Sequence, residues 1–202
     1  MAPLGDRWNK MVGKTRFVVC RLFLHLAGSE VAPLLGNLNQ AARAAMEDGD
    51  GDLEQMGEQL VDICQNLLQY DTYWLAAANE GDAVWDEGEA ADYFNELFTD
   101  SAQRYLSQPE FSLEDEAEEE GFSIPVTQNI VVMLTLACEG EIPELQTNLA
   151  EAEAMVSALK TIINLHYQQR LRGIQVHYSP AKFGDELTND QLLANYPELI
   201  PV

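Results

Sequence analysis

The chain has 202 residues, 47% of them hydrophobic, and 34 acidic against 11 basic side chains give a net charge of −23 at pH 7. That is enough apolar material for one well-filled core, which excludes a disordered chain and leaves little for a second domain. No apolar run approaches the roughly 20 residues a membrane span needs, and no apolar stretch before a small-residue cleavage site marks a secretory signal.

Charge is segregated along the chain. Residues 1 to 29 carry Arg7, Lys10, Lys14, Arg16 and Arg21 against Asp6 alone, whereas residues 44 to 159 hold 28 acidic groups and only Arg104 as a base. A field of that sign repels phosphate backbones, so nucleic acid is excluded as a partner of the protein body. The acidic surface either keeps the protein soluble or serves as a docking face for a basic protein partner. Cys20, Cys64 and Cys138 are odd in number and widely spaced, which points to a reducing cytosol and not to a disulfide framework. A cytoplasmic location is therefore expected.

In chain order, residues 1 to 14 form a basic arm ahead of a single α+β domain over 15 to 202. If the arm is helical, Leu4, Trp8 and Met11 share a stripe with Val12, while Arg7, Lys10 and Lys14 line the adjacent face. That pattern suits either weak contact with an anionic lipid surface or a partner, or packing on the chain's own domain. Thr15 to Leu26 alternates Val18, Cys20, Leu22 and Leu24 against Phe17, Val19, Arg21 and Phe23, the period of a strand.

Ser29 is placed to cap a first helix carrying Leu34, Leu35 and Leu38. A second helix runs from about Asp52, with Leu53, Met56, Leu60, Ile63 and Leu67 on one face. A third covers about Glu89 to Leu106. An acidic loop spans 110 to 121, where six acids surround Ala117. Thr127 to Cys138 reads as a second strand, apolar on both faces as a central strand is. A fourth helix holds Leu149, Ala152, Val156, Leu159 and Ile163. Ile174, Val176 and Tyr178 alternate as a third strand that Pro180 stops, and Thr188 with Gln191 forms a capping box for a last helix ended by Tyr196-Pro197.

The expected architecture is thus a small three-stranded mixed sheet packed with four to five helices, in the order β-α-α-α-β-α-β-α. The second and third strands, if adjacent, should be parallel across their helical crossover.

No catalytic residue and no cofactor is expected. Asp48-Gly-Asp-Gly-Asp52 opens like a calcium loop, yet Leu53 and Gln59 stand where a glycine and a bidentate glutamate belong, so Asp50 or Asp52 reads as a helix cap. No pair of histidines or cysteines has zinc-ligand spacing, so no metal site is expected. Tyr70, Tyr73, Trp74 and Trp85, with Tyr93 and Phe94, cluster in sequence where the second and third helices meet. Core packing explains them first; an aromatic-lined groove for a small ligand or an enzyme's substrate is the alternative.

Four segments carry a family resemblance: Phe17-Val-Val-Cys-Arg-Leu22, Asn66-Leu-Leu-Gln-Tyr-Asp-Thr-Tyr-Trp74, Asn129 to Gly140, and above all Gly173 to Val202. Over about residues 15 to 202 the chain resembles a domain family of unknown biochemistry from cyanobacteria and plastids that includes the plant fluctuating-light-acclimation protein. The resemblance implies a photosynthetic setting. It also implies a non-enzymatic regulatory or assembly role with photosynthetic complexes as partners, peripheral at the thylakoid's cytosolic face. It brings no catalytic residues with it.

Overall fold

A computed structural model describes residues 9, 13–47, 52–106, 129–180 and 185–202, the side chains of 44–47, 105 and 106 excepted. β1 (Phe17–Ala27) is the centre of a five-stranded sheet. Its alternation of two apolar sets is explained by helices on both faces, because every residue from Phe17 to Leu26 is buried. β2 (Trp74–Val84) and β3 (Asn129–Glu139) flank it, β4 (Leu171–Ser179) pairs with β3 at one edge, and β5 (Ile200–Pro201) pairs with β2 at the other. Every pairing is antiparallel. The fold class is α+β, but the sheet is neither three-stranded nor mixed.

Among the described residues five helices cover the sheet: α1 (Ala32–Glu47), α2 (Leu53–Gln69), α3 (Glu87–Leu106), α4 (Ala152–Tyr167) and α5 (Asn189–Asn195). Helices α1, α2 and α4 pack on the face formed by Val18, Cys20, Leu22, Leu24 and Leu26 of β1, together with Ile130, Val132, Leu134 and Leu136 of β3. On the opposite face lie α3, over Phe17, Val19 and Ala137, and α5, over Phe23, Val131 and Met133. The molecule is therefore a three-layer sandwich.

Two corrections have local causes. β2 escapes the sequence because Ala76-Ala-Ala-Asn-Glu-Gly-Asp82 is built of residue types that strands disfavour. Tertiary pairing overrides that. Gly81 sits opposite Cys20, where an added Cβ would lie 2.6 Å from the Val19 carbonyl oxygen, so only glycine lets the strands approach there. The second error concerns β3 and β4, which are antiparallel although a helix connects them. Residues 140–151 first cross the sheet, held by the Asn79 side chain, which accepts from the Leu149 N–H at 2.8 Å and donates to the Thr147 carbonyl at 2.9 Å. Helix α4 then starts beside Trp74 and returns the chain to the end where β3 finished.

Smaller details follow the expected chemistry or depart from it. Asp52 caps α2 by accepting the Glu54 N–H at 3.0 Å, while Asp48 to Gly51 lie outside the described residues. Ser29 begins a short 3₁₀ turn with no side-chain cap. The capping box at α5 forms as expected: the Gln191 N–H donates to Thr188 Oγ1 and the Thr188 N–H to Gln191 Oε1.

Candidate interaction surface and the polar belt beneath it

A row of polar residues crosses the α3 side of the sheet. The register places Glu80 of β2, Arg21 of β1, Thr135 of β3 and Gln175 of β4 directly opposite one another, so all four project from the same face. This belt separates the apolar cluster under α3 from the one under α5. Arg21 is only 2% exposed, and its fork is filled. It donates to Glu80, to the Leu97 carbonyl at 3.0 Å and to Ser101 Oγ at 2.7 Å, and it meets Asp100 at 2.6 Å. Arg104 continues the chain of charge by binding Asp100 at 2.8 Å and Glu198. Both guanidinium groups lie over the Phe23 ring, at 4.7 and 5.3 Å from its centroid.

The belt tunes its own titrations. Burial alone pushes the Asp100 carboxyl up, but hydrogen bonds from Arg21 and Arg104 more than reverse it and leave it below its ordinary value. Burial, reinforced by Arg21, lowers His177, whose ring meets Phe98 in a tilted contact with centroids 5.6 Å apart. Thr135 Oγ1, Gln175 Oε1 and His177 Nδ1 are buried without a hydrogen-bond partner among the described residues.

Above the belt, the outer surface of α3 and the end of β2 is acidic. Asp82, Asp86, Glu87, Glu89, Asp92 and Glu96 are all exposed and form no ion pair among the described residues. Asp86 also closes the start of α3, accepting the Gly88 and Glu89 N–H groups at 2.9 and 3.1 Å. Tyr93 stands within this surface. Burial raises its phenol, and Glu80, Asp82 and Glu96 raise it further against a smaller opposing pull from Arg21. An amphipathic ring framed by three carboxylates is suited to a basic side chain with an apolar stem.

The residues singled out in the sequence scatter. Leu4, Arg7, Trp8, Lys10 and Met11 lie outside the described residues, and Lys14 is exposed just before β1. Tyr70 and Tyr73 meet as a tilted ring pair, centroids 6.0 Å apart, in the turn that ends α2. Trp74 is buried beside them, its indole N–H donating to the Leu67 carbonyl at 3.2 Å. Trp85, however, follows the far end of β2, an 11-residue strand and thus roughly 35 Å away. Trp74 and Trp85 share no groove.

Among the described residues no cluster of three His, Cys, Asp or Glu could hold a metal ion. The three cysteines are buried; burial pushes the Cys20 thiol up to about 12 and raises Cys64 and Cys138 as well, so all three are protonated at neutral pH. No described helix is long and apolar enough to cross a membrane. Sequence reading missed the belt, although one signal was present: Arg21 interrupts an otherwise apolar run, Phe17-Val-Val-Cys-Arg-Leu-Phe-Leu24, whose full burial forces a charged residue to find partners.

Neither the curated proteins nor the solved structures provide a match to the chain. A family model described as "Protein of unknown function (DUF1517)" covers residues 16–202, nearly the whole chain and all five strands, and the protein belongs to that family.

Proposed function

We propose that the protein is a non-enzymatic regulatory or assembly protein that acts by protein–protein contact, with the acidic face around Tyr93 as its docking surface for a basic partner. One observation carries this reading: six exposed carboxylates gather there without a compensating base among the described residues, and the nearby cations Arg21 and Arg104 are already engaged in the belt below. Like charges packed this closely repel one another, a destabilisation that a cationic partner relieves.

The resemblance to cyanobacterial and plastid proteins supports a photosynthetic setting, with a photosynthetic complex as partner and a cytoplasmic location peripheral to the thylakoid's cytosolic face. The basic arm, with Arg7, Lys10 and Lys14, would add weak contact with anionic lipid. The test is affinity capture from photosynthetic membranes with the full chain and with an Asp92→Lys/Glu96→Lys variant. The wild-type chain should retain thylakoid components that the variant loses. Recovery of none of them, or equal recovery by both chains, defeats the reading.

A further inference from the structure

The other side of the sandwich carries a furrow between α1 and α2. At one end it is a hollow of ≈ 270 Å³ walled by Leu38 and Ala41 of α1, Met56 and Ile63 of α2, and Val176 and Tyr178 of β4. A second hollow of ≈ 260 Å³ shares Leu38, Ala41, Gln59 and Ile63 with it and has Asp62 in its wall, so the two adjoin along the α1–α2 contact. Ala41, Met56, Val176 and Tyr178 pack against the core yet stay only half-buried. Their apolar surface is what the furrow offers.

On α2, Glu58 and Asp62 are exposed one turn apart, and Asp62 stands in the furrow wall itself; Glu54, a turn earlier, lines a separate hollow with His166 and Arg172. A solvent-facing helix gains from pairing Glu with Lys at that spacing and loses when the charges are alike. None of the three carboxylates has an ion pair among the described residues. From Met56 to Asn66 the furrow follows α2 for about 15 Å, room for roughly three turns of a third helix.

We infer that this furrow receives an amphipathic basic helix of a partner protein. Apolar side chains at i, i+4 and i+7 enter between α1 and α2, and lysines or arginines on the flank meet Glu58 and Asp62. Charge complementarity selects a basic helix over an acidic one, and two parallel helical walls select a helix over a strand. This goes beyond the Tyr93 docking face, since it concerns the opposite side of the sheet.

The test uses the full chain and a fluorescein-labelled synthetic helix of about 18 residues, with Leu at i, i+3, i+4, i+7 spacing and Lys elsewhere. Its control is an isomer of the same composition with Leu spread around the helix. Fluorescence anisotropy is read for the wild type and for three variants: Ala41→Phe, which fills the furrow; Glu58→Lys/Asp62→Lys; and Asp92→Lys/Glu96→Lys, which changes net charge by the same amount on α3. Should Ala41→Phe fail to fold by circular dichroism, Ala42→Leu replaces it.

The amphipathic peptide should bind the wild type, and the furrow-filling and α2 variants should weaken it by about tenfold or more, while the α3 variant stays within about twofold. Equal binding of the isomer, equal losses in the α2 and α3 variants, or no effect of filling would each overturn the furrow. A loss confined to the α3 variant would do so too, while leaving the Tyr93 face standing. Self-association by sedimentation that the filling variant abolishes would put a second copy in the furrow and likewise overturn the inference.

Discussion

Arg21 and Asp100 meet at 2.6 Å, the guanidinium side chain 2% exposed and the carboxylate 44% exposed. The contact ties the central strand to α3 and is asymmetric, because only one partner is removed from water. Arg21→Met should therefore destabilise the fold by about 2–4 kcal/mol, through lost bonds to Glu80, Asp100, Ser101 and the Leu97 carbonyl. Glu80→Gln should cost under about 1 kcal/mol, since its carboxylate is half in water. Urea denaturation measures both. Similar losses for the two variants would contradict the asymmetry.

Stability should fall on the acid side in two stages. Burial lowers both His25 and His177 from 6.5, partly offset at His25 by its hydrogen bond with Asn129 and deepened at His177 by Arg21. The unfolded chain then binds protons first, so stability declines as pH falls below about 6.5 toward the folded values. Asp100, held below 3.8, adds a further loss as pH drops under about 4. Melting temperature against pH checks this, and His177→Gln should flatten the upper stage. A profile unchanged by that substitution would remove His177 from the account.

Thr135→Val should stabilise the protein by about 1 kcal/mol. The Thr135 hydroxyl is buried and has no partner among the described residues, and valine keeps its shape while removing the polar atom. A loss of stability in thermal denaturation would show instead that the hydroxyl is satisfied in solution.

Gly57→Ala should destabilise, although alanine is ordinarily the better helix former by about 1 kcal/mol. The His166 ring of α4 packs where the new Cβ would stand, so crowding should outweigh propensity by about 1–2 kcal/mol. Adding His166→Ala should recover much of the loss. If the double variant is no more stable than Gly57→Ala alone, crowding against His166 is not the cause.

How far the fold was legible depended on whether each element carried its own signal. Helix α5 showed itself through Thr188 and Gln191, since a capping box is satisfied within four residues. Strand β1 did so through two interleaved apolar sets. Strand β2 carries alanines, acids and Gly81, and its pairing, chiefly with β1, makes it a strand, so Trp74 and Trp85 looked like neighbours when they mark opposite ends. β5 is two residues long, too short for any period to register.

The amino-acid sequence by itself determined what depends on local order and composition: the α+β class, four to five helices, the largely apolar strands β1 and β3 and the segregation of charge. Only the tertiary structure decided the antiparallel five-stranded order and the side of the sheet on which the acidic α3 surface lies. It also decided the register that sets Glu80, Arg21, Thr135 and Gln175 in one belt. The physical reason is range. Caps and periodicities are satisfied between residues a few positions apart, whereas Arg21 and Glu80 are 59 positions apart and meet only because strand pairing brings them opposite one another.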